Sequence, residues 1–444
     1  MRNPRRGRTS ERRSYQRELL QAIGRYLPHR GLPLVVPDER VRWPARLLVV
    51  VALLMGWQRG AATLRDAFEA AREAAVAMYA SRRRPGRSVA GFVGALRRRG
   101  SRLLETVVKA LREATERMAG PAWRYQGYVA MGVDGTRIAC PRTKANEAAF
   151  GYGGKANGMP QQMLTTLFHV GTGLPWDWRR GRGDVSERGH ARQMLEGLPA
   201  ETMLLMDAGF PGFGLLWALL ERGHAFIVRA GRNVRLLREL GYDVEEDAGT
   251  VYLWPQGQRD HPPLVLRWVV VRDGGIPVHL LTSVRSPTAL SDGQIADLYR
   301  RRWGIEVLYR GFKQTMGKRK MLSTTAEPAR LELDWALAGL WMLGLMTGET
   351  LADQGQAPGG WSVAGALRVM GRAMRRPQAA PPAGGLWGQL GRAGKDSYRR
   401  TRPKASRDYP RQKVAKPPGA PKIRTATKPE VQRAQELRKQ KDAA

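Results

Sequence analysis

Acid is what this sequence lacks most. Its 444 residues hold 39 Asp and Glu against 75 Lys and Arg, a formal net charge of +36, and the pI is near 11.3. A compact chain so unbalanced repels itself unless a polyanion neutralises it. Nucleic acid comes first, because Lys and Arg on phosphate release condensed counterions. An anionic membrane surface and the ribosome are the rivals. Cysteine is nearly absent as well. Cys140 stands alone, which excludes an intramolecular disulfide and any Cys-cluster zinc site and fits a reducing compartment. Long apolar runs are missing. Leu47 to Trp57 is too short to span a bilayer. Leu333 to Thr347 is also short and holds Asp334. Both read as buried helices. No apolar core follows the basic start MRNPRRGRTSERR, so no signal peptide is expected.

What is present suffices for about two to four domains, with hydrophobic residues at 42%. From Ser14 to about Met118 the apolar spacing is helical, with Leu103, Leu104, Val107, Val108 and Leu111 on one stripe. The loop Ser81 to Arg87 divides this region into two helical blocks. These stripes look core-facing, which counts against a membrane-surface role. A helical N-terminal domain, 1–122, is expected, and it is the candidate for DNA binding. Near Tyr125 the pattern changes. YVAMGVDGTRIAC, QMLTTLFHVGTG and LPWDWRR read as strands, SERGHARQMLEGL as a helix opening at Ser186, and ETMLLMD as a strand ending at Asp207. The helix PGFGLLWALLERG and the strand HAFIVRA follow. That order describes an α/β domain with a mixed sheet, expected over 123–350 and interrupted by a β-rich insertion at about 231–285. A helical segment, 351–376, and a basic, Pro-rich tail, 377–444, complete the chain. The tail is expected to be largely disordered when free, with a short helix from Pro429 to Lys441 allowed.

Three acids stand out. Asp134 lies in a strand, in MGVDGTR. Asp207 ends an apolar strand and is followed by Ala-Gly-Phe. Carboxylates placed at strand ends beside small residues project into a shared cleft. Asp-Gly is also a common turn pair, and a strand-terminal Asp a common helix cap. Glu306 sits alone in the basic stretch YRRRWGIEVLYRGFKQTMGKRK. Ser291 and Gln294 form a capping box, from which a helix running through Glu306 is expected. At about 100° per residue, Tyr299, Arg302, Glu306 and Lys313 fall within roughly 60° of arc. Gly304 and Gly311 weaken that helix, and Lys313 lies beyond both. The face is then a carboxylate ringed by cations: oxygen ligands for a divalent ion, with Arg able to fork onto phosphate. The plainer reading is a solvated helix with an i,i+4 pair between Arg302 and Glu306.

The spacing Tyr299, Arg302, Glu306, Lys313 resembles the Tyr-Arg-Glu-Lys signature of bacterial insertion-sequence DDE transposases, of the insertion-sequence-four (IS-four) type. VDGTR looks like that family's first Asp block, and MDAGF with the later FIVRAGRN like its second. The resemblance covers roughly Tyr125 to Leu345. It implies an α/β ribonuclease-H-like catalytic core interrupted by the β-rich insertion, with an all-α N-terminal domain and a basic, partly disordered C-terminal tail. It also implies a DNA transposase in which Asp134, Asp207 and Glu306 bind two Mg2+ or Mn2+ ions. Water would cut at the transposon end, and the freed 3′-hydroxyl would attack target DNA. Tyr299, Arg302, Lys313, Arg301 and Arg310 become the candidate DNA contacts. The partner is double-stranded DNA, transposon end and target, bound by a homodimer. The location is the cytoplasm, associated with the nucleoid and not with membrane. A catalytically silent DNA-binding derivative and a metal-dependent nuclease of the same fold are the alternatives. Some relatives pass through a DNA hairpin and stack a flipped base on an aromatic side chain. Trp254 and Trp268 are candidates for that role, with core packing the favoured reading. His190 is expected on a helix surface. Asp177 and Asp184 are alternative acids, Asp184 as a turn residue. Lys155, in GYGGKANG, is a candidate phosphate contact.

Overall fold

The computed structural model describes residues 14–33, 41–79, 85–153, 158–273, 275–394 and 418–442. Two compact units emerge, each built from separated stretches of chain. The first joins 1–120, 138–161 and 309–396. The second joins 121–137, 162–308 and 397–444.

In the first unit four helices open the chain: α1 (Tyr15–Tyr26), α2 (Ala45–Trp57), α3 (Leu64–Met78) and α4 (Val89–Ala119). α3 is closed by a reciprocal capping box between Thr63 and Asp66, and Leu103, Val107 and Leu111 form the buried stripe of α4. These helices do not make a domain of their own, contrary to the boundary expected at 122. α2 is apolar on every side and almost wholly buried, and one amphipathic neighbour cannot cover such a helix. It packs on the equally apolar α10 (Ala326–Asp353), as does α4. The short α5 (Lys144–Phe150), α11 (Val363–Arg375) and α12 (Gly385–Leu390) complete this bundle. No helix among the described residues is long and apolar enough to cross a membrane.

The second unit is a mixed sheet with flanking helices. Its strands are β1 (Val129–Ala139), β2 (Gln161–His169), β3 (Leu174–Arg182), β4 (Thr202–Met206), β5 (Ala225–Arg229), β6 (Arg235–Arg238), β7 (Thr250–Leu253), β8 (Leu264–Asp273), β9 (Ile276–Thr282) and β10 (Lys422–Thr425). Across the sheet they run β10-β6-β7-β8-β9-β5-β4-β1-β2-β3. β1, β4 and β5 are parallel, while β9 pairs antiparallel with β5. The inserted strands β6 to β9 therefore extend the central sheet instead of folding apart from it. The buried runs of β4 and β5 read as continuous apolar stretches, as expected for strands covered on both faces. α6 (Glu187–Met194) lies on β3 and α7 (Phe213–Leu220) on β5. Leu290, Ile295 and Leu298, at the start of α8 (Asp292–Arg301), pack against Leu205, Ile227 and Leu280.

The expected disordered tail is corrected within its described residues. α12 and β10 are ordered elements, and α13 (Lys428–Asp442) occupies the stretch where a short helix was allowed. β10 joins the open edge of β6, and that ladder supplies order which composition alone does not reveal.

Candidate active site

β1 and β4 run in parallel register from Val129 opposite Thr202 to Gly132 opposite Leu205. Two residues further along that register, Asp134 comes opposite Asp207, the first residue past β4. Neighbouring strands lie about 4.8 Å apart and register partners share a face. The two carboxylates therefore leave adjacent backbones on one side of the sheet. Neither fills the turn-pair or helix-cap role, although Asp207 closes an Asx turn on Gly209. Asp134 is inside a strand and not in a turn, and α7 is capped by Gly212, not by Asp207. Asp207 Oδ1 instead accepts from the Gly209 N–H at 2.8 Å. Asp134 Oδ1 accepts from the Gly135 N–H, also at 2.8 Å.

A third carboxylate reaches the same place. Glu187 opens α6, and its Cγ and Cδ lie 2.5 Å from where a Cβ on Gly135 would stand. Glycine at 135 is what lets Glu187 come up beside Asp134. Burial, reinforced by the Asp207 and Glu187 charges, pushes Asp134 up to about 7. The Gly135 N–H and the Arg302 guanidinium pull the other way. Burial and the Asp207 charge also raise Glu187, against Arg137. Sequence reasoning missed Glu187, because an acid in a helix's first turn is ordinarily there for the helix dipole. The available signal was Gly135, since a glycine inside a strand marks a close approach by something else.

Glu306 arrives on a broken helix. The capping box of α8 forms as expected, with both of its hydrogen bonds made. The helix does not run through Glu306, however. α8 ends at Arg301, and α9 (Gly304–Arg310) starts after a tight turn in which the Ile305 and Glu306 N–H groups reach back to the Arg302 and Trp303 carbonyls. The turn is seated by Gly304, where a Cβ would stand 2.5 Å from the Phe168 ring. Across the break the expected group still holds. The Arg302 guanidinium lies 5.5 Å from the Tyr299 ring centroid and 3.6 Å from Glu306 Oε1. Arg302 is 8% exposed, its Nε is buried with no partner among the described residues, and the Tyr299 hydroxyl lies within reach of the Arg302 side chain. Burial raises the Tyr299 phenol, with Arg302 and Arg229 opposing.

Oxygen donors beside a buried guanidinium fit a hard divalent cation. Such an ion would offset the repulsion that raises Asp134 and Glu187. Among the described residues no three carboxylates are yet drawn together tightly enough to hold one, and Glu306 is turned toward Arg302.

Other candidates fall elsewhere. Arg301 pairs with Asp297 at 2.8 Å and lies over the Tyr125 ring. Arg310 ends α9, and Lys313 sits in the π-helical turn Gly311–Thr315. Both belong to the first unit. The π turn, like the break at Arg302, overturns the single regular helix on which their alignment with Glu306 rested. His190 is not on a surface: it is 4% exposed, with Nδ1 3.0 Å from Thr165 Oγ1. Asp177 binds Arg179, and Asp184 pairs with Arg182. Trp254 is buried under the Arg259 guanidinium, 4.0 Å from the ring. Trp268 is half-buried, with the Arg238 guanidinium 5.1 Å and the His279 ring 5.8 Å from its ring centroid. Lys155 lies outside the described residues.

The family model of the transposase DDE domain matches residues 125–342. Transposase InsG for insertion sequence element IS4, from Escherichia coli (strain K12), is 30% identical over 225 residues, covering 48% of this chain and 50% of that protein. Putative transposase y4zB, from Sinorhizobium fredii (strain NBRC 101917 / NGR234), is 31% identical over 149 residues, covering 31% of this chain and 41% of its own. The chain thus spans half or less of the length of these curated relatives. Among solved structures, a piggyBac transposase synaptic complex with hairpin DNA is similar at a TM-score of 0.38 and 11% identity, covering 89% of this chain and 84% of that one.

Proposed function

We propose that the chain belongs to the transposase DDE domain family, of the insertion-sequence-four type, whose model matches residues 125–342, and that it cuts DNA at transposon ends and joins them to target DNA. The observation that carries this reading is the placement of Asp134, inside β1, opposite Asp207, just past the parallel β4, with Arg302 in the turn after α8 and Glu306 on α9. The order β3-β2-β1-β4-β5 within the sheet supports a ribonuclease-H-like core. Asp134, Asp207 and Glu306 are the residues that would hold Mg2+ or Mn2+, two ions in this reading, with Glu187 as a further carboxylate beside them. The bound metal would supply an activated water and charge neutralisation at the scissile phosphate. Asp134 must give up its proton to serve, and Arg302 must turn from Glu306 to fork onto a phosphate oxygen. Tyr299 Oη, beside the Arg302 guanidinium, has a hydrogen bond to donate to the same anion. No covalent enzyme intermediate is needed. Cleavage leaves a 3′-hydroxyl, which attacks the target strand.

Arg301, Arg310 and Lys313 are proposed as backbone contacts, and the N-terminal helices as the reader of the end sequence. Double-stranded DNA is the partner, bound by a homodimer in the nucleoid-containing cytoplasm. The test uses the full-length chain and duplexes carrying the sequences that flank its gene. Nicking should require Mg2+ or Mn2+, and Glu306→Gln should lower it by about 10²–10³-fold. Full cleavage by that variant would refute the assignment. Strand-transfer products distinguish a transposase from a nuclease of the same fold. Metal-independent binding without cleavage would identify a silent derivative.

A further inference from the structure

Away from the carboxylates, the second unit holds a cleft of about 910 Å3. Its walls come from three parts of the chain that are distant in sequence. Pro211 to Phe213 lie on the segment that leaves Asp207. β6 and the residues after β7 belong to the insertion. β10 and the start of α13 belong to the C-terminal stretch.

The lining is strongly basic. Arg235, Arg259, Lys422, Arg424 and Arg433 face one acid, Glu430. That acid is already saturated. It accepts two bonds from Arg424, both at 2.7 Å, one from Arg259 at 2.7 Å and one from the Thr427 N–H at 2.9 Å. These bonds hold Glu430 well inside the ionised range, near 2, mainly through Arg424. Glu430 thus clasps β10 and α13 to the insertion and leaves nothing for the other cations. The Arg259 guanidinium lies 4.0 Å from the Trp254 ring centroid, and its Nη1 is buried with no partner among the described residues.

The arrangement of Arg235 and Lys422 is the telling feature. β6 and β10 are parallel, and these two residues are direct register partners. Both are exposed, and neither forms an ion pair among the described residues. Like charges side by side on neighbouring strands destabilise a ladder. A short edge strand that folds back only to place a cation beside a cation works against its own pairing, unless an anion bridges them.

We propose that this cleft binds the phosphate backbone of DNA, as a site separate from the carboxylates. Arg235 and Lys422 are its unneutralised contacts, and Glu430 holds the C-terminal strand and helix in place to form it. The inference rests on DNA being the substrate but not on the chemistry at Asp134. It gives the C-terminal stretch a role that simple basic bulk would not. The anion is held by a folded wall, at positions set by a strand register.

The test uses full-length protein and a duplex of unrelated sequence, with affinity followed by fluorescence anisotropy across a salt series. Each phosphate contact contributes about 0.9 to the slope of log K against log salt. R235Q/K422Q should therefore flatten the slope by about 1.8, while R235K/K422R should keep it. The melting temperature of free R235Q/K422Q should equal or exceed that of the parent, because the like-charge pair is gone. An unchanged slope would overturn the inference. So would loss of binding in the charge-conserving variant, since that would mean the wall had collapsed. If the slope is unchanged while the parent still nicks DNA with Mg2+, the cleft fails and the transposase reading stands. If nicking is absent but the slope falls as stated, the cleft stands and the catalytic reading fails.

Discussion

Around α10, Trp57 and Trp341 bury their rings and still satisfy their indole N–H groups, on the Gly339 carbonyl and the Thr115 hydroxyl, both at 2.8 Å. Around Asp134 the reverse holds: the Asp207 and Glu187 charges oppose its ionisation, and Arg302 Nε is buried with no partner among the described residues. Trp335 Nε1 on α10 has no partner among the described residues, but Trp57 and Trp341 are satisfied, while the second region keeps charge and hydrogen-bonding capacity in reserve. Sites that must bind an ion and a phosphate are expected to keep such reserves at the expense of stability. The contrast predicts opposite signs for mutation in the two regions. Core truncation should cost stability and spare the chemistry, whereas neutralising the site should cost chemistry and spare or raise stability.

The largest effect belongs to the core. Trp57 is 1% exposed, and Trp57→Ala would open a cavity and remove its bond to the Gly339 carbonyl. A loss of about 3–5 kcal/mol is expected for such a truncation, read from urea unfolding. Metal-dependent nicking per folded molecule should stay near the parent's. A loss under about 1 kcal/mol, within the range of tolerated repacking, would remove the contrast.

The middle effect tests how Glu187 gets to the site. A methyl at residue 135 would meet Glu187 Cγ and Cδ at 2.5 Å and Met163 Cε at 2.6 Å. Both are flexible side chains and can move. Gly135→Ala should therefore fold, displace Glu187 and weaken Mn2+ binding by about tenfold, the lower end of what supporting shells contribute to metal sites. Calorimetric titration of Mn2+ into the DNA-free chain reads this without any turnover. Parent-like affinity in Gly135→Ala, with Glu187→Gln also silent, would remove Glu187 from the site.

How much of this could be read beforehand depended on the range of the interactions involved. Asp134 and Asp207 were visible because each is set by its own strand, and the local pattern of apolar residues specifies strands. Ser291 and Gln294 were visible because a capping box closes within four residues. The break at Arg302 was not, because it answers to Phe168 on β2, which only the folded sheet brings to Gly304. Glu187 was hidden for the same reason: its neighbour Gly135 is distant in sequence. α2 and α10 were recognisable as buried helices, but nothing local said that they bury each other, and the domain boundary at 122 failed there. β10 reads as part of a charged, Pro-rich tail until the open edge of β6 is known. Each miss concerns a contact between distant segments.

The last expected effect is a pH dependence of stability, and its sign follows from Asp134. Its carboxyl has an ordinary value of 3.8 and is raised to about 7 in the fold, chiefly by burial. Between those values the folded chain keeps a proton that the unfolded chain has released. The unfolded state then binds fewer protons, so stability falls as pH rises from about 4 to about 7. Below that window both states are protonated and the penalty is absent. Above it both are ionised and the penalty is constant. Glu187, also raised, adds in the same direction. In chelator-treated protein the urea midpoint should therefore drop between about pH 5 and pH 8. Asp134→Asn should flatten the drop and leave the variant the more stable of the two at pH 8, although it no longer cuts DNA. Identical pH profiles for parent and variant would mean that the carboxylates impose no penalty on the fold, and the contrast with the α10 core would lose its electrostatic basis.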